Sequence, residues 1–212
     1  MTGQHHARLR KAFHVLTGAL ILVAGLSACG GSGSGDPFTN PPLVANSPGG
    51  GGQSLSFAYF QRCVNPIFLQ ALPITLNGVP TTNSCSNSGC HANATGTGGA
   101  FRIIPAAQPL DVTLPANTPD VIRASDMYKN FYSAQGEAVV NDPTQSLLIN
   151  KPLVRNVLHG GGLIFASDQD PHIKLMEYWI SHPMPAGQDE FSTAGYNLFT
   201  PADPVNGVCN TN

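Results

Sequence analysis

The segment from Cys85 to His91 reads CSNSGCH, and it holds the residues of this chain best suited to chemistry. Two thiols followed at once by a histidine form the arrangement to which a c-type haem is attached. The thiols bond to the two vinyl groups of the porphyrin, and the adjacent imidazole binds the iron. Four residues separate the two cysteines, where the commonest spacing has two. These four residues are small and turn-prone, which suits a bulge between the thiols.

The motif alone leaves two interpretations open. In the first, Cys85 and Cys90 carry haem and His91 is the proximal iron ligand. In the second, the two cysteines form a small structural disulfide in an exported domain, and His91 is merely exposed. The spacing of the three residues does not decide between them.

The surrounding sequence resembles exported bacterial mono-haem cytochrome c domains of the class I-like type. In that family an aromatic-rich first helix with V-x-P-I precedes the haem motif, and S-x-L-x-x-K, H-G-G-G and a terminal helix ending in W-I follow it. The matching segments here are 64–67 (VNPI), 146–151 (SLLINK), 159–162 (HGGG) and 175–180 (LMEYWI). The resemblance covers about residues 55–185. It implies a mostly α, cytochrome c-like helical domain with long irregular loops and one covalently bound haem c.

The resemblance also implies a second axial ligand on the loop before the last helix. His159 fits this position, because the three glycines after it let the backbone approach a porphyrin face closely. Met184, in the sequence HPMP, is the runner-up distal ligand. The other candidates in the domain are His172, His182, Met127 and Met176. An open sixth position is a further alternative, and it would permit ligand binding or peroxide chemistry.

Residues 1–28 have the pattern of an export signal. Three basic residues precede an apolar run from Ala12 to Ala28, whose about 17 residues are few for a membrane span. The run ends in LSACG, which resembles a bacterial lipoprotein signal and predicts a lipid on Cys29. Gly30 after the cysteine resembles signals sorted to the outer membrane of Gram-negative bacteria. An ordinary secretory signal or a membrane anchor with an incidental cysteine is the alternative.

The segment 29–53 is rich in Gly, Ser and Pro and predicts a flexible tether, so the globular domain is 54–212. Two of the five cysteines then remain without a role, namely Cys63 and Cys209. We predict a disulfide between them, with unpaired thiols or a bond to another chain as alternatives. Without haem, four cysteines allow three connectivities.

Periodicity predicts four helical segments and no run of alternating strands. The helices are 54–72, with Asn65 and Pro66 as N-cap and first residue of its second part; 118–131; a short one opened by Asp142 and Pro143; and one capped by Asp170, with Ile173, Met176, Trp179 and Ile180 on one face. The polar stretch from Thr75 to Gly99 is predicted to be loop. The domain is therefore mostly α with an unusual share of irregular chain.

Composition excludes several functions. Only 10% of the residues are charged, the formal net charge is −2, and no cluster of Lys and Arg lies outside the N-terminus, which argues against a nucleic-acid partner. The sequence has no GxGxxG, no phosphate loop followed by Lys and no HExxH. The sequence shows neither a Ser-His-Asp set nor paired carboxylates, the arrangements that would indicate a hydrolytic enzyme.

The sequence therefore predicts an electron carrier at the cell envelope, anchored by lipid and meeting other redox proteins transiently. A first alternative is a haem-free, disulfide-stapled surface lipoprotein that acts as a binding or structural module. A second is a haem enzyme or sensor with an open sixth position.

Overall fold

A computed structural model describes residues 52–76 and 78–212 of the chain. The predicted signal peptide, the predicted lipid on Cys29 and the tether up to residue 51 lie outside these residues. Gln53, predicted as the end of the tether, is already held by the domain: its side chain donates to the Met184 carbonyl at 3.1 Å and accepts from Asn141 at 2.8 Å. Within the described ranges, no helix is both long enough and apolar enough to span a bilayer.

The domain begins with three consecutive helical segments, which we call the N-terminal helix. They are α1 (Phe57–Tyr59), a π-helical segment (Phe60–Val64) and α2 (Asn65–Leu69). Nearly all of their side chains are buried, as expected of a helix that is apolar all round. Ser56 caps the start, where its Oγ accepts from the backbone N–H of Tyr59.

Two details of this helix differ from the sequence prediction. Asn65 does not cap a second helix, because the chain passes through it without a break and its buried side chain instead accepts a hydrogen bond from Asn130 at 3.0 Å. The helix also ends at Leu69, so Leu72 lies in a strand.

A β-hairpin follows where the sequence predicted loop, so the loop prediction was wrong for residues 75–76 and 79–83. Strand β1 (Leu72–Leu76) pairs antiparallel with β2 (Val79–Asn83), and Gly78 turns between them with a φ of +81°. Leu72 and Ile74 are buried and alternate with exposed residues, which is the period of a half-buried strand. Strand β2 is exposed along almost its whole length, so its polar composition resembles that of a loop.

The helix predicted over 118–131 is two helices. Helix α3 (Pro119–Arg123) is capped by Thr118, and α4 (Asp126–Gln135) is capped by Ser125, whose Oγ accepts from Tyr128 N–H at 3.1 Å. A side chain that caps a helix competes with helix continuation, which explains the break. The short helical region predicted from Asp142 consists of a 3₁₀ turn (Pro143–Gln145) and α5 (Leu147–Asn150).

Helix α6 (Pro171–Ser181) confirms its prediction in both its cap and its buried face. Asp170 accepts from the N–H of His172, and the four predicted core residues of α6 are all buried. Trp179 is fully buried, donates from Nε1 to the Ser56 carbonyl at 3.0 Å and lies 5.3 Å from the Phe60 ring centroid. Phe131 of α4 lies 5.5 Å from the same ring, so the N-terminal helix, α4 and α6 share one core.

The C-terminal region closes over this core. It consists of a 3₁₀ helix (Thr193–Leu198) and the paired strands β3 (Phe199–Thr200) and β4 (Val208–Cys209). A disulfide joins Cys63 of the N-terminal helix to Cys209, the pair that the sequence predicted. Short helices, two small sheets and much irregular chain make up the domain, and its assignment to a cytochrome c-like fold stays a prediction.

Candidate functional site

The residues of the CSNSGCH motif line a cavity of about 500 Å³. The volume lies within the range of about 300–1,000 Å³ that is typical of cofactor and ligand sites. Much of the wall is apolar and comes from α2, β1, α5 and the chain before α6, namely Ile67, Phe68, Leu72, Ile74, Leu148 and Phe165. An apolar wall excludes water, so hydrogen bonds and charges placed along it interact more strongly than they would in water.

Local hydrogen bonds fold the motif into a compact bulge. Cys90 N–H donates to the Asn87 carbonyl at 2.9 Å, and His91 N–H donates to the Cys85 carbonyl at 2.8 Å. The second bond closes the loop between the two cysteines, so Cys85, Cys90 and His91 all reach the same cavity. The extra residues between the thiols are therefore accommodated by turns, as the sequence predicted.

Cys85 and Cys90 are separate thiols, while Cys63 and Cys209 are joined. Burial raises the pKa of the Cys85 thiol to about 11, with a further contribution from Cys90, and burial also raises the pKa of Cys90. Both side chains are consequently neutral thiols at pH 7. The Cys85–Cys90 disulfide required by the alternative interpretation is not formed.

His91 is fixed by its backbone surroundings in the manner of a metal ligand. Its Nδ1 lies 3.0 Å from the Phe101 carbonyl oxygen, and its ring centroid lies 4.8 Å from that of Phe101. Burial lowers the pKa of His91, the hydrogen bond to the Phe101 carbonyl opposes this shift, and the electrostatic influence of His159, Arg102 and Lys151 lowers the pKa further. The ring is therefore neutral at pH 7, with its proton on Nδ1 and the lone pair of Nε2 available to a metal.

His159, which lies in the chain before α6, is held in the same way. Its Nδ1 lies 2.8 Å from the Gly162 carbonyl oxygen, and Gly162 has a φ of +72°, which a residue with a side chain rarely adopts. Because a carbonyl oxygen only accepts, this hydrogen bond assigns a proton to Nδ1. Both histidines line the cavity, and no hydrogen bond within the described ranges uses either Nε2.

The two imidazoles face each other at a separation that suits a metal ion. Their ring centroids are 6.3 Å apart and their planes differ by 12°. A metal bonded to both Nε2 atoms at about 2.0–2.1 Å would hold the centroids about 6 Å apart. This donor set fits haem iron, which takes four ligands from the porphyrin and needs two from the protein.

The structure brings few of the other candidate ligands to this cavity. Met184 is buried in the core beside Gly195, where its N–H donates to the Ser54 carbonyl at 2.7 Å, and it does not line the cavity. His172 has both ring nitrogens engaged, by Asp170 and Gln70. The remaining candidates divide: His182 is exposed, Met127 packs in the core, and Met176 of α6 lines the cavity.

Sequence reasoning missed the residues that hold the His91 ring. A Cβ on Gly98 would lie 2.5 Å from two atoms of that ring, so only glycine fits against it. Gly98 N–H also donates to the Cys90 carbonyl at 2.8 Å, which ties the glycine to the motif. The run of glycines at 96, 98 and 99 is visible in the sequence. The sequence does not show that Gly98 lies against the His91 ring in the fold.

Substitution of Gly98 by alanine is expected to lower the free energy of unfolding by about 1–3 kcal/mol, the usual cost of overpacking. The added methyl would displace the His91 ring from its bond to Phe101. Thermal unfolding of the variant measures the effect. Gly89→Ala is the matched control, because a Cβ there meets nothing within 4 Å. Equal losses for the two variants would contradict the assigned role of Gly98.

No group of three or more His, Cys, Asp or Glu side chains arranged to hold a metal ion occurs in the part of the chain that the structure describes. The arrangement found is a pair of imidazoles and a pair of thiols around one apolar cavity. Comparisons with protein-family models, curated proteins and solved structures find no match to this chain.

Proposed function

We propose that this chain carries one covalently attached haem c and transfers single electrons at the cell envelope. The observation that carries the proposal is the pair of imidazoles, His91 and His159, which face each other at 6.3 Å with both Nδ1 atoms held by backbone carbonyls. Two unpaired thiols line the same apolar cavity. The sequence resemblance to cytochrome c domains agrees with this reading of the site.

Each residue of the site has a separate role in this proposal. Cys85 and Cys90 hold the porphyrin: each S–H adds across one vinyl group, so that sulfur bonds to one carbon and the hydrogen goes to the other. His91 is the proximal ligand and His159 the distal ligand. Haem supplies an iron that alternates between the ferrous and ferric states. The apolar wall keeps water from the iron. Transfer of an electron needs no substrate pocket.

The location and partners follow from the sequence and extend the proposal. A lipid on Cys29 and a flexible tether would hold the domain near a membrane. Labelling of the chain with a lipid precursor tests for that lipid. The partners would be other redox proteins that meet the domain transiently. The Cys63–Cys209 disulfide agrees with an oxidising compartment outside the cytoplasm.

The test is covalent attachment of haem in a host that performs it. The exported chain is expected to purify as a red protein, and its haem stain is expected to survive a denaturing gel. Cys85→Ser combined with Cys90→Ser should abolish that stain, because no thioether can form. Cys63→Ser combined with Cys209→Ser removes the same number of thiols and should keep the stain. A colourless wild-type product would overturn the proposal.

A further inference from the structure

The loop that carries His159 is closed by its own backbone. Ile164 N–H donates to the Pro152 carbonyl at 2.8 Å, and Gly162 N–H donates to the His159 carbonyl at 2.9 Å. The His159 ring in turn donates from Nδ1 to the Gly162 carbonyl at 2.8 Å. The backbone and the ring of His159 are therefore both bonded to Gly162.

Gly162 also lies against the β-hairpin. A Cβ on Gly162 would come 3.2 Å from the Thr75 carbonyl oxygen, which is closer than ordinary van der Waals contact. Thr75 lies in β1, whose five residues all pair with β2, so its carbonyl cannot easily move away. Ile74, the preceding residue, is buried and lines the cavity, which holds this strand against the site. The hairpin therefore sets the position of Gly162.

Two separate features of Gly162 exclude a side chain there. Its φ of +72° is one that a residue with a Cβ rarely adopts, and the Thr75 carbonyl lies close to the place that a Cβ would take. Neither Gly162 nor Thr75 is among the residues that line the cavity. The contact between them therefore reaches a cofactor in the cavity through His159.

We propose that the β-hairpin positions the distal imidazole. Thr75 fixes Gly162, and the Gly162 carbonyl fixes the His159 ring. That ring is thereby held nearly parallel to the ring of His91, with 12° between the two planes. This inference rests on the proposed function, in which His159 is the distal ligand. The hydrogen bond from Nδ1 orients such a ligand and raises its basicity, so Gly162 and Thr75 are positioning residues.

The first test measures the angle between the imidazole planes in the haem-bearing protein. Electron paramagnetic resonance of low-spin ferric haem distinguishes nearly parallel planes, which give a rhombic spectrum, from strongly twisted ones, which give a large anisotropy. The wild-type protein should give the rhombic spectrum. Gly162→Ala should lose it, because the methyl group moves the loop away from β1 and turns the His159 ring. Twisted planes in the wild type, or an unchanged spectrum in Gly162→Ala, would overturn the inference.

Two further variants separate the contact with Thr75 from backbone strain. Gly187 has a φ of +81°, a Cβ there meets nothing within 4 Å, and it does not line the cavity. Gly187→Ala therefore introduces comparable strain without the contact and should keep the rhombic spectrum. Gly162→Asn relieves strain, since Asn tolerates a positive φ, but it keeps the contact and should alter the spectrum even if Gly162→Ala does not fold. A wild-type spectrum in Gly162→Asn would contradict the role of the hairpin.

The second test measures the hydrogen bond itself and needs no haem signal. The Nδ1–H proton of His159, assigned by its absence in His159→Ala, is followed by nuclear magnetic resonance of the full chain, with any haem in the ferrous, diamagnetic state. Its exchange with solvent should be about tenfold faster in Gly162→Ala and Gly162→Asn than in the wild type, as expected for loss of one hydrogen bond. Gly187→Ala should exchange at the wild-type rate. Equal rates in all four proteins would refute the inference.

The two tests separate this inference from the proposed function. A chain that purifies without haem would overturn the proposed function, and the proton-exchange test would still decide whether the hairpin holds the His159 ring. A haem-bearing protein whose spectrum is unaltered in both Gly162 variants would overturn this inference and leave the haem in place.

Discussion

Replacement of His159 by alanine is expected to convert a six-coordinate, low-spin haem into a high-spin form that binds carbon monoxide. The substitution removes the imidazole whose ring centroid lies 6.3 Å from that of His91, and it leaves the apolar wall unchanged. Visible absorption of the reduced protein measures the spin state, and carbon monoxide binding measures the open position. The wild-type protein should resist carbon monoxide, since both axial positions are occupied.

Two control variants make the expectation specific to His159. His172→Ala removes an imidazole whose two nitrogens already bond to Asp170 and Gln70, so the spectrum should stay low-spin. Met184→Leu removes a thioether that packs beside Gly195, away from the cavity, and it should also leave the spectrum unchanged. An unaltered spectrum in His159→Ala, or a loss of low-spin bands in Met184→Leu, would contradict the assignment.

The identity of the distal ligand has a consequence for the reduction potential. A thioether ligand raises the potential relative to an imidazole, because it stabilises ferrous iron better. Two imidazoles with Nδ1–H bonded to carbonyls are more basic ligands and favour ferric iron. The proposed site is therefore that of a carrier at the lower-potential end of the c-type range.

Local sequence was sufficient where neighbouring residues determine the structure. Asp170 and the apolar spacing after it predicted α6, because a cap and a 3.6-residue period act within one helix. The CSNSGCH motif predicted that Cys85, Cys90 and His91 lie together, because the bonds that form the bulge link residues only three to six apart. These parts of the fold need little information from elsewhere in the chain.

Local sequence was insufficient where distant contacts decide. The HPMP sequence made Met184 a candidate ligand, but the bond from its N–H to the Ser54 carbonyl places it against the start of the N-terminal helix. The hairpin of β1 and β2 was missed because its outer strand faces solvent and carries no apolar stripe. Gly98 was missed because its importance comes from close packing against the His91 ring, a contact that only the folded structure shows.

Loss of the Cys63–Cys209 disulfide is the second large effect that we expect. The bond joins residues separated by 146 positions, and the chain-entropy relation gives about 5 kcal/mol of stabilisation for a loop of this length. That amount is comparable to the whole stability of a small domain, which is about 5–15 kcal/mol. Cys63→Ala combined with Cys209→Ala should therefore unfold at a much lower urea concentration than the wild-type protein.

Other contacts of the C-terminal region reduce the unfolding free energy that is lost when the disulfide is removed. Arg62 donates from Nε to the Gly207 carbonyl at 3.3 Å, Tyr59 donates to the Asn210 carbonyl, and β4 pairs with β3. These bonds hold the chain end without the disulfide, so a loss of about 2–5 kcal/mol is the expected range. The haem spectrum of the folded double variant should match wild type, because neither cysteine lines the cavity. An unchanged urea midpoint would show that these contacts alone fix the C-terminal region to the N-terminal helix.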